Sequence, residues 1–481
     1  MKRLLSFGAA VAVGAAVAGP SAVVTSVAQD PSTRVVTVNY TLSGAPAIVT
    51  FDFLTNGVSI GGANVTGGDV LRPQPRGDVF RRVTTDGAHA FTWKPDRTWS
   101  DHLADGQIAV SAWAMDNPPD YLAVPLETNA TDGVRFYPDA AWVPGGILSN
   151  FDYRTTVVLM RRIHAKDVTW TMGTYAVGTS GTPADNSMIA AEERMHEVTL
   201  TNDYYMGVFE TTASQYAMVG GPEGASVPGS YFVEASSMRP VVGFLNYHLL
   251  REATNNAAFD KNSVPIPQYQ YPNPPSPDTF LGRLRTISGL PFDLPSEAQW
   301  EFAARGGHGD GYWPDGSAWN FSDPREYAAT KTVNVNLYCK DENLRARYWG
   351  DCGNESYGCF SNGTQIVGSY APNGFDLYDM IGNAAEWCLD YAAADITALN
   401  GAVNANGAYL ADGVTVGTLR VRRGGCYNSF AYACRPSCRC SKLSGGQWYS
   451  TQTTSQTAYG NRGDVTTTVR LCCTADLRGL E

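Results

Sequence analysis

Four cysteines fall within "RGGCYNSFAYACRPSCRC", the stretch from Arg423 to Cys440: Cys426, Cys434, Cys438 and Cys440. Three chemistries suit such a cluster. A thiolate nucleophile needs a base within reach. No histidine follows His308, so His164, His196, His248 or His308 would have to arrive through the fold. A zinc site favours paired C-x2-C knuckles, which this spacing lacks. Disulfides need only an oxidising compartment and partners. All ten cysteines lie between Cys339 and Cys473, so disulfides among some of them are the leading reading.

A second constellation is "LYDMIGNAAEW", Leu377 to Trp387. Asp379 and Glu386 offer carboxylates seven residues apart, with a Gly382-Asn383 turn between them. Calcium takes carboxylate and carbonyl oxygens in loose geometry, and such a turn can aim carbonyls inward. The alternative is structural: Asp379 caps a turn and Glu386 pairs with an arginine such as Arg423. A third stretch, "SGGQWYSTQTTSQTAYGNRG" (Ser444 to Gly463), has the Tyr, Trp, Ser, Gly and Asn content of adaptable binding loops. An ordinary polar surface loop has the same composition.

The elements that must position these residues differ along the chain. From Thr33 to Glu127 the pattern has period two: Val36, Val38, Tyr40 and Leu42 alternate with polar residues, and Ala47, Val49, Phe51 and Phe53 form a second set. Further strands are expected at Ala90–Trp93 and Ile108–Met115. Short half-buried strands punctuated by Gly, Pro, Asn and Asp predict an all-β sandwich over residues 29–130. His89 and His102 stand alone there and read as packing residues. Residues 131–154 read as a connector. Beyond it, Val168–Gly173 and His196–Gly207 read as strands. Ser296–Gly307 reads as a helix, with Ser296 and Gln299 forming a capping box and Gly306 as the stop. Thr212–Met218 and the segment after Pro240 are further expected helices, and the rest is long loops.

Lys2, Arg3 and the apolar run Leu4–Ala18 have the form of a secretory leader. Ser26-Val27-Ala28 is a small-x-small cleavage site, giving a signal peptide over residues 1–28, and a second cut follows Ala18. No later stretch could span a membrane. A secreted, periplasmic or cell-surface location follows as the expectation. The net charge of −11, with no basic stripe, argues against a nucleic-acid partner.

Seven phrases then occur in order: "WTMG", "HEVTLTNDYYMGVFETTASQY", "RPVVGF", "LPSEAQWEFAARGG", "VGSYAPNGFDLYDMIGNAAEWCLD", "RVRRGGCYN" and "VRLC". This series resembles the formylglycine-generating enzyme family, also called sulfatase-modifying factors. The resemblance implies an α+β, C-type-lectin-like domain over residues 155–478. It also implies calcium on the Asp379 and Glu386 side chains and the Gly382 and Ala384 carbonyls. The family's enzymes convert a sulfatase cysteine to formylglycine, using copper held by two cysteines after the Gly-Gly. Those positions fall here on Ser429 and Cys434. A serine hydroxyl is a poor ligand for Cu(I), which soft thiolates select. Cys426 would have to supply a displaced thiolate. Iron-dependent relatives need a His-rich helical domain, which this chain lacks. The expectation is therefore a non-catalytic module binding an extracytoplasmic protein or glycan. The alternative is a copper-dependent oxidase whose client is a sulfatase.

Overall fold

The computed structural model of the chain describes residues 19–69, 71, 74–100, 106–127, 133–173, 195–220, 238–242, 247–253, 267–269, 271–307, 364–391, 401–403, 420–426, 436–439 and 467–480. The chain forms two compact units. One runs to Arg162 and takes back Thr474–Glu481, and the other is Ile163–Cys473.

In the first unit, β1 (Ser21–Gln29), β2 (Val36–Ser43) and β7 (Gly87–Trp93) pair antiparallel, with β5 (Arg76–Gly77) beyond β7. A second sheet is centred on β3 (Ala47–Thr55), flanked by β4 (Val58–Ser59), β6 (Arg81–Val83) and β8 (Gln107–Ala114). The alternation that predicts these strands holds in β2, where Val36, Val38, Tyr40 and Leu42 are buried. It fails at the start of β3, where Ala47, Ile48, Val49 and Thr50 are all buried. Thr50 is tolerated there because its hydroxyl accepts the Trp113 indole N–H at 2.8 Å. Aromatic rings from β3 and β7 fill the core between them: Phe51 lies 4.7 Å from Phe91 and 5.7 Å from Trp93, centroid to centroid. His89 packs on Tyr40 and bonds Asp78 at 2.9 Å, a packing role as expected.

The expected connector is part of this unit. Within residues 131–154, β10 (Arg135–Tyr137) pairs with β9 (Tyr121–Pro125), and Tyr153 buries its ring and donates to the Pro144 carbonyl. On the other side of β9 lies β11 (Val157–Ile163). The unit also carries two short helical turns, α1 (Gly62–Thr66) and α2 (Pro95–Thr98). Two contacts tie in the returning segment: the Leu477 amide donates to Met115 O at 2.8 Å, and Arg82 donates to Leu480 O.

β1 overlaps the expected leader, residues 1–28. Ser21 to Gln29 pairs with β2 from Ser43 back to Val36. Cleavage after Ala28 would strip this strand and leave the β2 edge unpaired. Cleavage after Ala18 keeps it whole.

Among the described residues the second unit carries short sheets and three α-helices. β12 (Val168–Met172) pairs antiparallel with β13 (His196–Leu200), which pairs parallel with β16 (Ala402–Val403). β14 (Tyr204–Gly207) and β19 (Cys472–Thr474) are neighbours. β15 (Ala385–Tyr391) lies between β17 (Arg420–Arg423) and β18 (Thr467–Thr468). The helices are α3 (Ala213–Met218), α4 (Phe280–Ser288) and α5 (Glu297–Ala304). The expected capping box of Ser296 with Gln299 forms, and Thr212 makes a second one with Gln215. After Pro240 the expected helix is only a one-turn π-helix, His248–Glu252, among the described residues. Trp300 sits at the centre of a core with Met172, Val198, Leu377, Met380 and Val421.

No disulfide forms among the described residues. Cys388, Cys426, Cys438, Cys472 and Cys473 are buried thiols. Buried ion pairs tie this part of the fold together among the described residues. No helix among the described residues is long and apolar enough to cross a membrane.

Candidate functional site

The site is built outward from α5. Its N-cap Ser296 accepts the Gln299 amide at 3.2 Å, and the Gln299 side chain accepts the Ser296 amide at 2.9 Å. That fixed start sets Glu297 and Glu301 one turn apart on one face, as helical spacing requires. Both are fully buried, and each meets guanidinium groups. Glu297 receives Arg423 Nε at 2.7 Å and Arg439 Nε and Nη2 at 2.6 and 2.7 Å. Glu301 receives Arg423 Nη2 at 3.0 Å, Arg305 Nη2 at 2.5 Å and the Gly173 amide at 2.9 Å. Burial pushes the Glu297 carboxyl up, but Arg423 and Arg439 together outweigh it and hold its pKa below the ordinary value.

This lattice holds the two described ends of the cysteine-rich stretch. Arg423 Nη1 donates to Pro436 O at 2.7 Å, and Arg439 is clamped on Glu297. The chain is thus tied at Arg423 and again at Pro436–Arg439. Gly424 follows Arg423 with φ of +90°, and a Cβ there would stand 3.2 Å from the Trp300 ring. Glycine is required for that close, left-handed approach. Cys426 and Cys438 lie inside, 5% and 7% exposed. Ser429, Cys434 and Cys440 lie outside the described residues.

A second cluster surrounds Glu386. Its carboxylate accepts Arg470 Nε at 3.0 and 2.9 Å, Arg470 Nη2 at 2.7 Å and the Trp300 indole N–H at 2.6 Å. The suggested partner Arg423 stands directly across the ladder from Glu386, yet its guanidinium goes to Glu297 and Glu301. Asp379, at φ of +58°, accepts the Gly368 amide at 2.6 Å. Nearby Glu210 accepts the Ala384 amide at 3.0 Å and the Asn383 side chain. Burial, then the Asp379 and Glu386 charges, holds its carboxyl well above the usual range. The Gly382 amide donates to Gly424 O at 2.8 Å, linking this turn to the start of the cysteine-rich stretch.

Sequence reasoning passed over Glu297, Glu301, Arg439, Glu210 and Arg470. The two acids spaced four apart in "SEAQWE", inside an otherwise apolar helix, were the signal for the first pair. Arg470 lies in the quoted "VRLC", but its partners are distant in sequence and the phrase does not point to them.

Residues 161–450 match the sulfatase-modifying factor enzyme 1-like domain, and that span is more than half of the chain. The chain belongs to this family. Over 149 residues it is 32% identical to the formylglycine-generating enzyme of Thermomonospora curvata, covering 30% of this chain and 43% of that protein. It is also 32% identical over 136 residues to the serine/threonine-protein kinase pkn1 of Chlamydia pneumoniae, covering 28% of this chain and 16% of that protein. The chain therefore spans less than half the length of these curated relatives. Among solved structures, Treponema denticola variable protein 1 is similar with a TM-score of 0.37 at 21% identity, covering 66% of this chain and 95% of that one.

The donor set can be tested for the calcium that family membership implies. A carboxylate offers about four lone-pair sites. The Glu386 oxygens already receive three contacts from Arg470 and one from Trp300. Calcium seats at about 2.3–2.6 Å from its oxygens. On Glu386 it would have to displace a guanidinium, whose positive charge repels it. Among the described residues no three His, Cys, Asp or Glu side chains converge to hold a metal. The set of Asp379, Gly382, Ala384 and Glu386 does not fit calcium in the expected arrangement. The copper positions Ser429 and Cys434 cannot be placed, being outside the described residues.

Proposed function

We propose that this chain is an exported, non-catalytic member of its family that binds an extracytoplasmic protein or glycan through loops of the second unit. The observation that carries this reading is Ser429 at the position where the family's copper chemistry uses a cysteine. The burial of the neighbouring thiols supports it. A thiolate that must meet a client's cysteine has to be reachable and stabilised, whereas Cys426 and Cys438 are buried under the arginine clamp. Cys388 and Cys472 are likewise buried thiols whose pKa burial drives well above the usual value, and burial pushes Cys473 up to about 12. A scaffold locked by buried ion pairs, with a long polar segment at Ser444–Gly463, suits display of a binding surface. The two sheets of the first unit fit a β-sandwich, and the second unit's short strands and loops fit a C-type-lectin-like domain.

The relatives named as formylglycine-generating enzymes favour a second reading, a copper-dependent oxidase acting on a sulfatase cysteine. One experiment separates the two. Purified wild type, Ser429→Cys and Cys434→Ser proteins are incubated with Cu(I), oxygen and a C-x-P-x-R peptide, and mass spectrometry looks for the aldehyde. Wild type should give no aldehyde above a copper-free control, and Ser429→Cys should bind Cu(I) more tightly, since it restores a second thiolate. Aldehyde from wild type that disappears in Cys434→Ser would establish the oxidase instead.

Export also yields a defined mature terminus. Ala16-Val17-Ala18 is an A-x-A site, and only a cut there preserves β1. Intact-mass measurement of protein exported from its host should place Gly19 first. A terminus at Gln29 would mean that β1 is dispensable.

A further inference from the structure

We propose that Arg470 is the resident structural cation of the second unit, and that the turn from Leu377 to Trp387 holds its fold without calcium. The case rests on what Arg470 gathers. Its side chain is fully buried. Nε and Nη2 grip the Glu386 carboxylate, Nη1 donates to Gly207 O at 2.9 Å and Val208 O at 3.2 Å, and Nη2 donates to Tyr378 O at 2.8 Å. All five guanidinium N–H groups are therefore used. The acceptors are one carboxylate and three backbone carbonyls, drawn from Gly207–Val208 and from both ends of the turn from Leu377 to Trp387. That is the donor set a structural calcium collects: hard oxygens from loops that have little regular structure of their own. Here the cation is tethered to the chain beside β18, and the Val469 carbonyl next to it accepts the Thr211 amide at 2.9 Å.

The arrangement also explains why Trp300 points its indole N–H at Glu386. Arg470 leaves one lone-pair direction on the carboxylate, and the indole fills it at 2.6 Å. With both charges buried, the pair depends on complete hydrogen bonding, and here it is complete. A lysine could not reproduce it, because an ammonium is a point charge with three donors and cannot reach a carboxylate and three carbonyls in one plane.

The test uses the full chain and calcium itself as the probe. Wild type, Arg470→Lys, Glu386→Gln and Asp379→Ala are melted in excess EDTA and in millimolar calcium. Wild type should melt at the same temperature in both, and Arg470→Lys should melt lower in both. Terbium supplies a second readout that does not depend on how well the variants fold. Because Trp300 touches Glu386, a lanthanide held there would show tryptophan-sensitised emission, and wild type should show none that calcium competes away. A calcium-dependent rise in wild type that Glu386→Gln abolishes would overturn the proposal, as would sensitised emission lost in Glu386→Gln. A rise that survives Glu386→Gln but is lost in Asp379→Ala would overturn it too, whereas one that survives both supports it by placing calcium away from this turn. Unchanged melting of Arg470→Lys would also overturn it.

Discussion

Glu297→Ala should destabilise the second unit by about 3–5 kcal/mol, a fall in melting temperature of about 10 °C. The change removes the one carboxylate shared by Arg423 and Arg439, both buried. Arg423 keeps Glu301 at 3.0 Å, whereas Arg439 loses both of its bonds to the Glu297 carboxylate. Removing a carboxylate from two buried guanidinium groups is the main penalty. The loss should appear locally as well as globally. Amides at Ser437, Cys438 and Arg439 should exchange faster in Glu297→Ala than in wild type, because the clamp on that segment is gone. The pH dependence has a defined sign. The folded pKa of Glu297 lies below its ordinary 4.5. Its contribution is complete above that ordinary value and fades as pH falls toward the lower, folded one. Glu297→Gln should flatten the acid limb of the stability curve in that window. An unchanged acid limb, or unchanged exchange at Ser437–Arg439, would show that the lattice does not anchor the stretch.

Phe51→Ala should cost the first unit about 3–5 kcal/mol, the range for deleting a buried aromatic side chain. The ring is 2% exposed and sits among Phe80, Phe91 and Trp93 at 4.7 to 5.9 Å. Phe91 and Trp93 lie on the paired strand β7, and Phe80 is held by its amide bond to Val49 O, so collapse into the space is limited. Hydrogen exchange gives the measurement: amides of β2, β3, β7 and β8 should lose protection together. A change confined to Phe51 and its two chain neighbours would mean that the core closes over the deletion.

The sequence was readable where a pattern depends on near neighbours. Val36, Val38, Tyr40 and Leu42 repeat every second residue because one face of β2 is buried, and the structure repeats that pattern. The start of β3 broke the rule because it is covered on both faces. The start of α5 was visible in Ser296 and Gln299, whose bonds span three residues. α4 was not, because Gly282 looks like a helix breaker. The structure shows why it is there: a Cβ at Gly282 would lie 1.9 Å from Ser276 O. Side-chain pairing across long separations was the least legible. The sequence suggested Glu386 with Arg423, and those two residues are indeed opposite each other in the ladder. Which acid each arginine reaches is decided by the position of α5 and by Arg470, and neither leaves a trace in local sequence. The five described cysteines are buried thiols, and the described ends of the cysteine-rich stretch are held by arginines.

The return of Thr474–Glu481 to the first unit sets an order on how the chain is made. Met115 waits for the Leu477 amide, and Arg82 for the Leu480 carbonyl. At ~5–20 residues per second, Leu477 is synthesised on the order of a minute or less after Met115, and every residue of the second unit is made in between. The first unit is thus begun early and closed late. If the chain is threaded through a membrane before folding, the two ends of that unit arrive on the far side as separate events. A tag or truncation at the carboxyl end should therefore disturb the β strands encoded at the amino end before it disturbs the cysteine-rich stretch that lies nearer to it in sequence.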